Sequence, residues 1–128
     1  MSVNNASAPA SEPGVSKFTV RAVDGVMWLE WVLGADISLE DAQAVGATMR
    51  RMSGNVPVPV MADIREVRST SREARQYFAT EGFTSAVAFL VASPLSRLMA
   101  NFFMGLAKSK APAKAFTDPR DALAWLKQ

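Results

Sequence analysis

The sequence predicts an α/β domain: a mixed sheet of about five strands with flanking helices, in the order ββαβαβαβα. Three observations predict it. Two β-rich runs meet at Asp24-Gly25, the strongest short hairpin signal. Beyond Ser38, apolar runs of strand length alternate with segments whose apolar residues recur at helical spacing. Those helical segments open on Ser, Thr or Asp, twice with proline next in line, at Ser93-Pro94 and Asp118-Pro119.

Residues 1–16, rich in Ser, Ala, Asn and Pro, carry no periodic apolar pattern, so a mobile tail is expected ahead of a single domain spanning 17–128. Lys17 to Val23 and Val26 to Leu33 form the hairpin. In the second strand Trp28, Glu30 and Val32 share one face, and Met27, Leu29, Trp31 and Leu33 the other. Both faces are largely apolar, so each needs cover from helices or a second subunit. Ser38 caps a helix whose face is Leu39, Ala42, Val45, Met49 and Met52, with acids in its first turn, Arg50-Arg51 in its last, and a stop at Gly54. Val58 to Ala62 reads as a strand covered on both sides, although Pro57 and Pro59 argue against a central position at its start.

After a short loop, Thr70 and Glu73 fit a capping box, and Ala74, Tyr77 and Phe78 form the buried stripe of a second helix closed by Gly82. Thr84 to Val91 is the most apolar strand and belongs inside the sheet. The helix begun by Pro94 packs through Leu95, Leu98, Met99, Phe102 and Leu106. A short strand, Ala113 to Phe116, leads to a last helix carrying Ala122, Trp125 and Leu126 inward.

At 128 residues, 49% apolar and 20% charged, the chain can bury one core. A net charge of +2 without a polybasic block does not point to nucleic acid. Cysteine and histidine are both absent, which removes disulfides, a thiolate nucleophile, the usual general base near neutral pH and the commonest metal ligands. The longest apolar run, Ala86 to Ala92, is far below the roughly 18 residues of a membrane span. Neither a signal peptide nor a cofactor motif is visible, so a soluble cytoplasmic protein without cofactor is expected.

The segment VPVPVMADIREVRSTSREARQYF, ending at Phe78, concentrates the chemistry. An apolar strand ends at Asp63, and hydroxyls, arginines and helix amides follow, at the strand end where open α/β sheets hold their sites. Arg65, Arg68, Arg72 and Arg75, with Ser69, Thr70 and Ser71, can receive a phosphate, a carboxylate or an acidic partner. Alternatively they form a solvated face balanced by Glu66 and Glu73, with the hydroxyls acting as caps worth about 1 kcal/mol. Asp63, with no second carboxylate beside it, reads as a residue that orders the following loop. Asp36, Glu40 and Asp41 fall at a helix start, where negative charge is favourable without a metal. No catalytic residue is assigned. Trp31, Met99, Phe102 and Phe103 are candidates for an apolar pocket or a dimer surface, although core packing accounts for them equally. Asn101 needs a hydrogen-bond partner in that apolar stretch, and Lys108 and Lys110 either complete an anionic site or stay in water.

Several segments resemble a known family. The hairpin followed by Ser38-Leu39-Glu40-Asp41-Ala42, the strand ending VMADIREV, and the segments SREARQYFA, SPLSRLMANFFMGL and FTDPRDALAWL are similar to the bacterial STAS/SpoIIAA-like proteins. These proteins are related to anti-sigma-factor antagonists, and the likeness is to an uncharacterised branch of them. The resemblance implies a SpoIIAA-like fold, no catalysis, and regulation through a protein partner such as an anti-sigma-type regulator; the apolar faces of the hairpin strand and the Pro94 helix separately leave a homodimer open. Antagonists of that family typically carry an Asp-Ser-Ser-Gly-like motif whose serine is phosphorylated. Aligning Asp63-Ile64 with the family's strand end places Ser71 and Arg72 near that motif, with Arg72 where the acceptor hydroxyl is expected and no glycine present. Ser69, Thr70 and Ser71 are the nearby hydroxyls. The alternative function is a small-molecule or lipid-binding domain with an apolar pocket between the sheet and the Pro94 helix.

Overall fold

The structure, a computed structural model, describes residues 7–9, 17–106 and 111–128. Hairpin strands β2 (Phe18–Val23) and β3 (Val26–Trp31) pair antiparallel, and a short strand β1 (Ser7–Pro9) adds to the outer edge of β2. The turn between β2 and β3 places Asp24 and Gly25 both at positive φ, which explains the preference for that dipeptide. A three-residue strand β4 (Ala35–Ile37) leads into α1 (Leu39–Ser53). Ser38 and Asp41 close a reciprocal capping box at the start of α1, and Gly54 ends it in left-handed backbone. Then come β5 (Val58–Asp63), β6 (Val67–Thr70), α2 (Arg72–Thr80), β7 (Thr84–Leu90), α3 (Pro94–Leu106), β8 (Ala113–Phe116) and α4 (Pro119–Leu126).

The main sheet has the order β1-β2-β3-β5-β7-β8, parallel from β3 onward. Beside the five expected strands it holds β1, which lies in the segment read as a mobile tail. A second, two-stranded parallel sheet joins β4 to β6, a pairing the sequence reading missed. Central β5 tolerates its proline because the register shifts between Val58 and Pro59.

One face of the sheet carries the larger core. Phe18, Val20, Leu29, Trp31, Val60 and Phe89 pack there against Val45 and Met49 of α1, Ala74 of α2, and Ala100 and Phe103 of α3. The opposite face is covered by α4, whose Ala122 and Leu126 pack on Val26, Met61, Ala88 and Leu90. Since α4 sits mainly over β5, β7 and β8, the β2–β3 half of this face carries an ion pair between Arg21 and Glu30, with Arg21 lying 5.0 Å from the Trp28 ring centroid. Two cover types therefore answer the apolar character of β3. Helices bury Met27, Leu29 and Trp31, while Val32 and Leu33 extend past the strand into an exposed turn.

Both ends of α2 differ in detail from expectation, whereas the expected cap of α3 is present. Thr70 is not the cap of α2: the Ser71 amide donates to the Ile37 carbonyl at 2.9 Å, which keeps β6 extended through Thr70. The helix then begins one residue later with Ser71 as its cap. The helix stops at Glu81 in extended backbone, ahead of Gly82. At α3, Ser93 and Ser96 cap reciprocally: the Ser96 amide donates to Ser93 Oγ at 3.1 Å, and Ser96 Oγ accepts from the Ser93 amide at 3.0 Å.

Candidate functional site

The carboxyl ends of β5 and β7 and the start of α2 meet at one end of the molecule, where the sequence placed the site. Asp63 orders the loop after β5, accepting the Arg65 backbone N–H at 3.2 Å and the Arg65 guanidinium through both oxygens at 3.0 and 2.8 Å. Asp36 on β4 takes Arg68 of β6 in a two-point ion pair and also accepts the Ser69 hydroxyl. Those bonds, from Arg68 first and then Ser69, hold the Asp36 carboxyl well below the usual carboxylate range. Arg75 reaches back past the start of its helix, donating to the Thr70 carbonyl at the end of β6 at 2.7 Å, and lays its guanidinium 4.3 Å from the Phe102 ring centroid.

The cluster expected to receive an anion is therefore largely satisfied from within. Arg65 and Arg68 are neutralised by aspartates, Ser69 is bound to Asp36, and Ser71 caps the Ala74 amide at 3.0 Å. Thr70 Oγ1 is buried without a hydrogen-bond partner, so it is not presented as an acceptor for phosphoryl transfer. Arg72 is exposed, and among the described residues no ion pair engages it. The sequence signal for this was Asp36, which was read as a helix-start acid. Its role becomes visible only once β4 and β6 are known to pair.

Outside this network lies an apolar stripe. On α3, Leu95, Leu98 and Phe102 are 47%, 63% and 47% exposed, at spacings of three and four that place them on one side of the helix. Because α2 and α3 each return between parallel strands on the same sheet face, they run in the same direction. Arg75 beside Phe102 therefore places Leu98 and Leu95 toward the end where α2 opens with Arg72. Met99, expected to share a pocket with Phe102, instead packs against the core. Asn101, expected to need a partner, faces solvent. Lys108 and Lys110 lie outside the described residues.

The second candidate is internal. Between the sheet and helices α1–α3 is a cavity of about 90 Å³ whose deep wall is Leu29, Trp31, Val45, Met49, Val60 and Ile64. Phe78 and Phe103 roof it, with Phe103 stacked on Phe89 at 5.5 Å. Of the four residues proposed for a pocket, Trp31 and Phe103 line this cavity; Met99 and Phe102 do not. Its partly exposed end is formed by Ala79, Glu81, Thr84, Met104, Ala111 and Ala113. Glu81 is ion-paired there with Arg50, whose Nη2 also donates to Tyr77 Oη at 3.3 Å. The sequence contained no signal for Glu81, because it follows the helix and has no periodic role. Among the described residues, no three of His, Cys, Asp and Glu stand together as a metal site, and no helix is long and apolar enough to cross a membrane.

Residues 19–128 match the family described as "Domain of unknown function (DUF7793)", and the chain belongs to that family. No curated protein matches it. Among solved structures it is similar to an uncharacterised Shewanella loihica protein of the DUF3478 family with a SpoIIAA-like fold, at 18% identity and a TM-score of 0.62, covering 98% of each chain. It is likewise similar to an anti-sigma factor antagonist from Mycobacterium paratuberculosis, at 19% identity and a TM-score of 0.63, covering 92% of this chain and 99% of that one. The fold is SpoIIAA-like, in agreement with the resemblance read from the sequence.

Proposed function

We propose that this member of the DUF7793 family is a noncatalytic regulatory module of the cytoplasm that docks a protein partner at the carboxyl end of its sheet. The observation that carries the reading is the stripe of Leu95, Leu98 and Phe102 beside the cations Arg72 and Arg75. Exposed large apolar groups in a row cost solubility unless something covers them, and the flanking arginines select an acidic segment and speed its approach. The likeness to an anti-sigma factor antagonist supports a partner of the anti-sigma type. A second copy of the chain is the competing occupant.

Affinity capture from cell lysate tests this with wild type, Arg72→Glu and Leu98→Ser. Both substitutions fall on exposed positions, so folding is expected to survive them. The reading expects one protein retained by wild type and lost by both variants. Equal capture by all three overturns it, and a concentration-dependent dimer abolished by Leu98→Ser replaces it with self-association.

The cavity specifically favours a second reading, a small-molecule or lipid-binding domain. Native mass spectrometry of the purified protein tests it: a bound species lost on denaturation supports it, and a bare chain weighs against it.

A further inference from the structure

Building on the docking reading, we infer that the segment taken up by the face of α2 and α3 is an amphipathic helix with acidic flanks, belonging to another protein and not to a second copy of this chain. Which side of each helix is already engaged defines that face. On α2, Tyr77 lies against Gly46 of α1, and Glu73, one turn earlier, shares that side. Arg75 and Phe78 turn the other way, onto Phe102 and Phe103 of α3. Arg72, exposed, stands one turn before Arg75 on this same side. The acid of α2 is thus directed away from the apolar stripe, and its arginines toward it.

No acid comes from α3. Between Glu81 and Asp118 the sequence carries Arg97, Lys108, Lys110 and Lys114 and not one carboxylate side chain. Arg97 is exposed and, like Arg72, makes no ion pair among the described residues. Phe102, Leu98 and Arg97 succeed one another round α3, so Leu95, Leu98 and Phe102 lie with Arg72 on one flank and Arg97 on the other. A second copy docked stripe to stripe about a twofold axis would set these arginines among arginines. A partner with carboxylates beside its own apolar row meets no such cost. The form of that partner follows from the backbone. Strand addition uses an open sheet edge, whereas this face is two helices that satisfy their own main chains, so an extended peptide would gain no ladder here. A helix needs none. Leu95 to Phe102 span two turns, about 10 Å, which one short helix covers with apolar residues at i, i+3, i+4 and i+7.

Titrating the full chain into three labelled peptides of about 18 residues, read by fluorescence anisotropy, tests this. One carries leucines at helical spacing flanked by glutamates, the second the same leucines flanked by lysines, and the third is the glutamate peptide with a central proline. The glutamate peptide is expected to bind saturably and about tenfold tighter than the lysine peptide. Arg72→Glu with Arg97→Glu is expected to reverse that order, and Leu98→Ser to abolish binding of both while the melting temperature holds. The proline peptide is expected not to bind. A lysine peptide bound as tightly as the glutamate one overturns the acidic assignment, and a proline peptide bound as tightly as its parent overturns the helix. A dimer of the free chain in sedimentation, lost in Leu98→Ser, overturns the choice of another protein over a second copy. If no peptide binds while wild type still captures a lysate protein that Arg72→Glu and Leu98→Ser lose, this inference falls and the docking reading stands. If neither peptide nor lysate protein binds, both fall.

Discussion

Asp36 and Arg68 are locked together across the two-stranded sheet, with the Arg68 Nε donating to Asp36 Oδ1 at 3.0 Å and its Nη2 meeting Oδ2. Strands of three and four residues have little intrinsic stability as a pair, so this clamp, joined by the Ser69 hydroxyl, holds the loop between β5 and α2 in register. It also removes a cation from the surface on which docking would depend.

Acid should release the clamp. The Asp36 carboxyl, held by Arg68 and Ser69, titrates well below the ordinary aspartate value when folded, so its contribution is fully present above pH ~4 and is lost as pH falls through the depressed folded value. Between pH 4 and 2, wild type is expected to lose thermal stability more steeply than Asp36→Asn. Melting curves across that range check the difference, and parallel slopes would show that the ion pair contributes nothing.

Gly46 of α1 lies against the Tyr77 ring of α2. A Cβ there would overlap Tyr77 Oη and come within 3.1 Å of its Cζ. Gly→Ala in a helix ordinarily gains up to about 1 kcal/mol, whereas overpacking costs about 1–3 kcal/mol, so sterics decide and Gly46→Ala is expected to destabilise. Adding Tyr77→Phe, which removes the overlapping oxygen, should recover part of the loss in denaturant titrations.

The hydroxyls of Thr70 and Ser71 should behave oppositely. Ser71→Ala removes the α2 cap, at a cost of about 1 kcal/mol. Thr70→Val replaces a buried hydroxyl that has no partner, and is expected to be neutral or stabilising. Urea midpoints measured on both variants separate them.

Arg72 and Arg75, one turn apart, should also diverge. Arg75→Ala loses a hydrogen bond to Thr70 and the contact with the Phe102 ring, an expected cost of about 1–2 kcal/mol. Arg72→Ala is expected to stay within about 0.5 kcal/mol of wild type. Equal effects on the unfolding free energy would contradict this division between a structural and a surface arginine.

The elements that could be read from the sequence were those whose signal is local. Asp24-Gly25 requires two positive φ values, Ser38 with Asp41 makes a capping box, and Asp118-Pro119 starts a helix; each is decided within a few residues. The strands β4 and β6 were missed because neither is long enough to show a period, and each exists only through the other, about thirty residues away. The same gap misplaced the cap of α2 by one residue. At the candidate site, the arginines and hydroxyls were found by type and position, but which of them stay free depends on Asp36, a partner only the fold supplies. The cavity was half legible: Trp31 and Phe103 belong to it, whereas Phe102, its sequence neighbour, points away because consecutive helical residues lie on different sides.

The ionic cover over β2 and β3 also bears on how concentrated this protein can become. Where α4 does not reach, the Arg21–Glu30 pair and the Trp28 ring beneath it give the sheet a hydrated skin in place of a helix. The pair carries no net charge and protects the face by binding water, and dissolved ions weaken the pair. Crowded solutions of high ionic strength are where flat-to-flat stacking of this face would first appear.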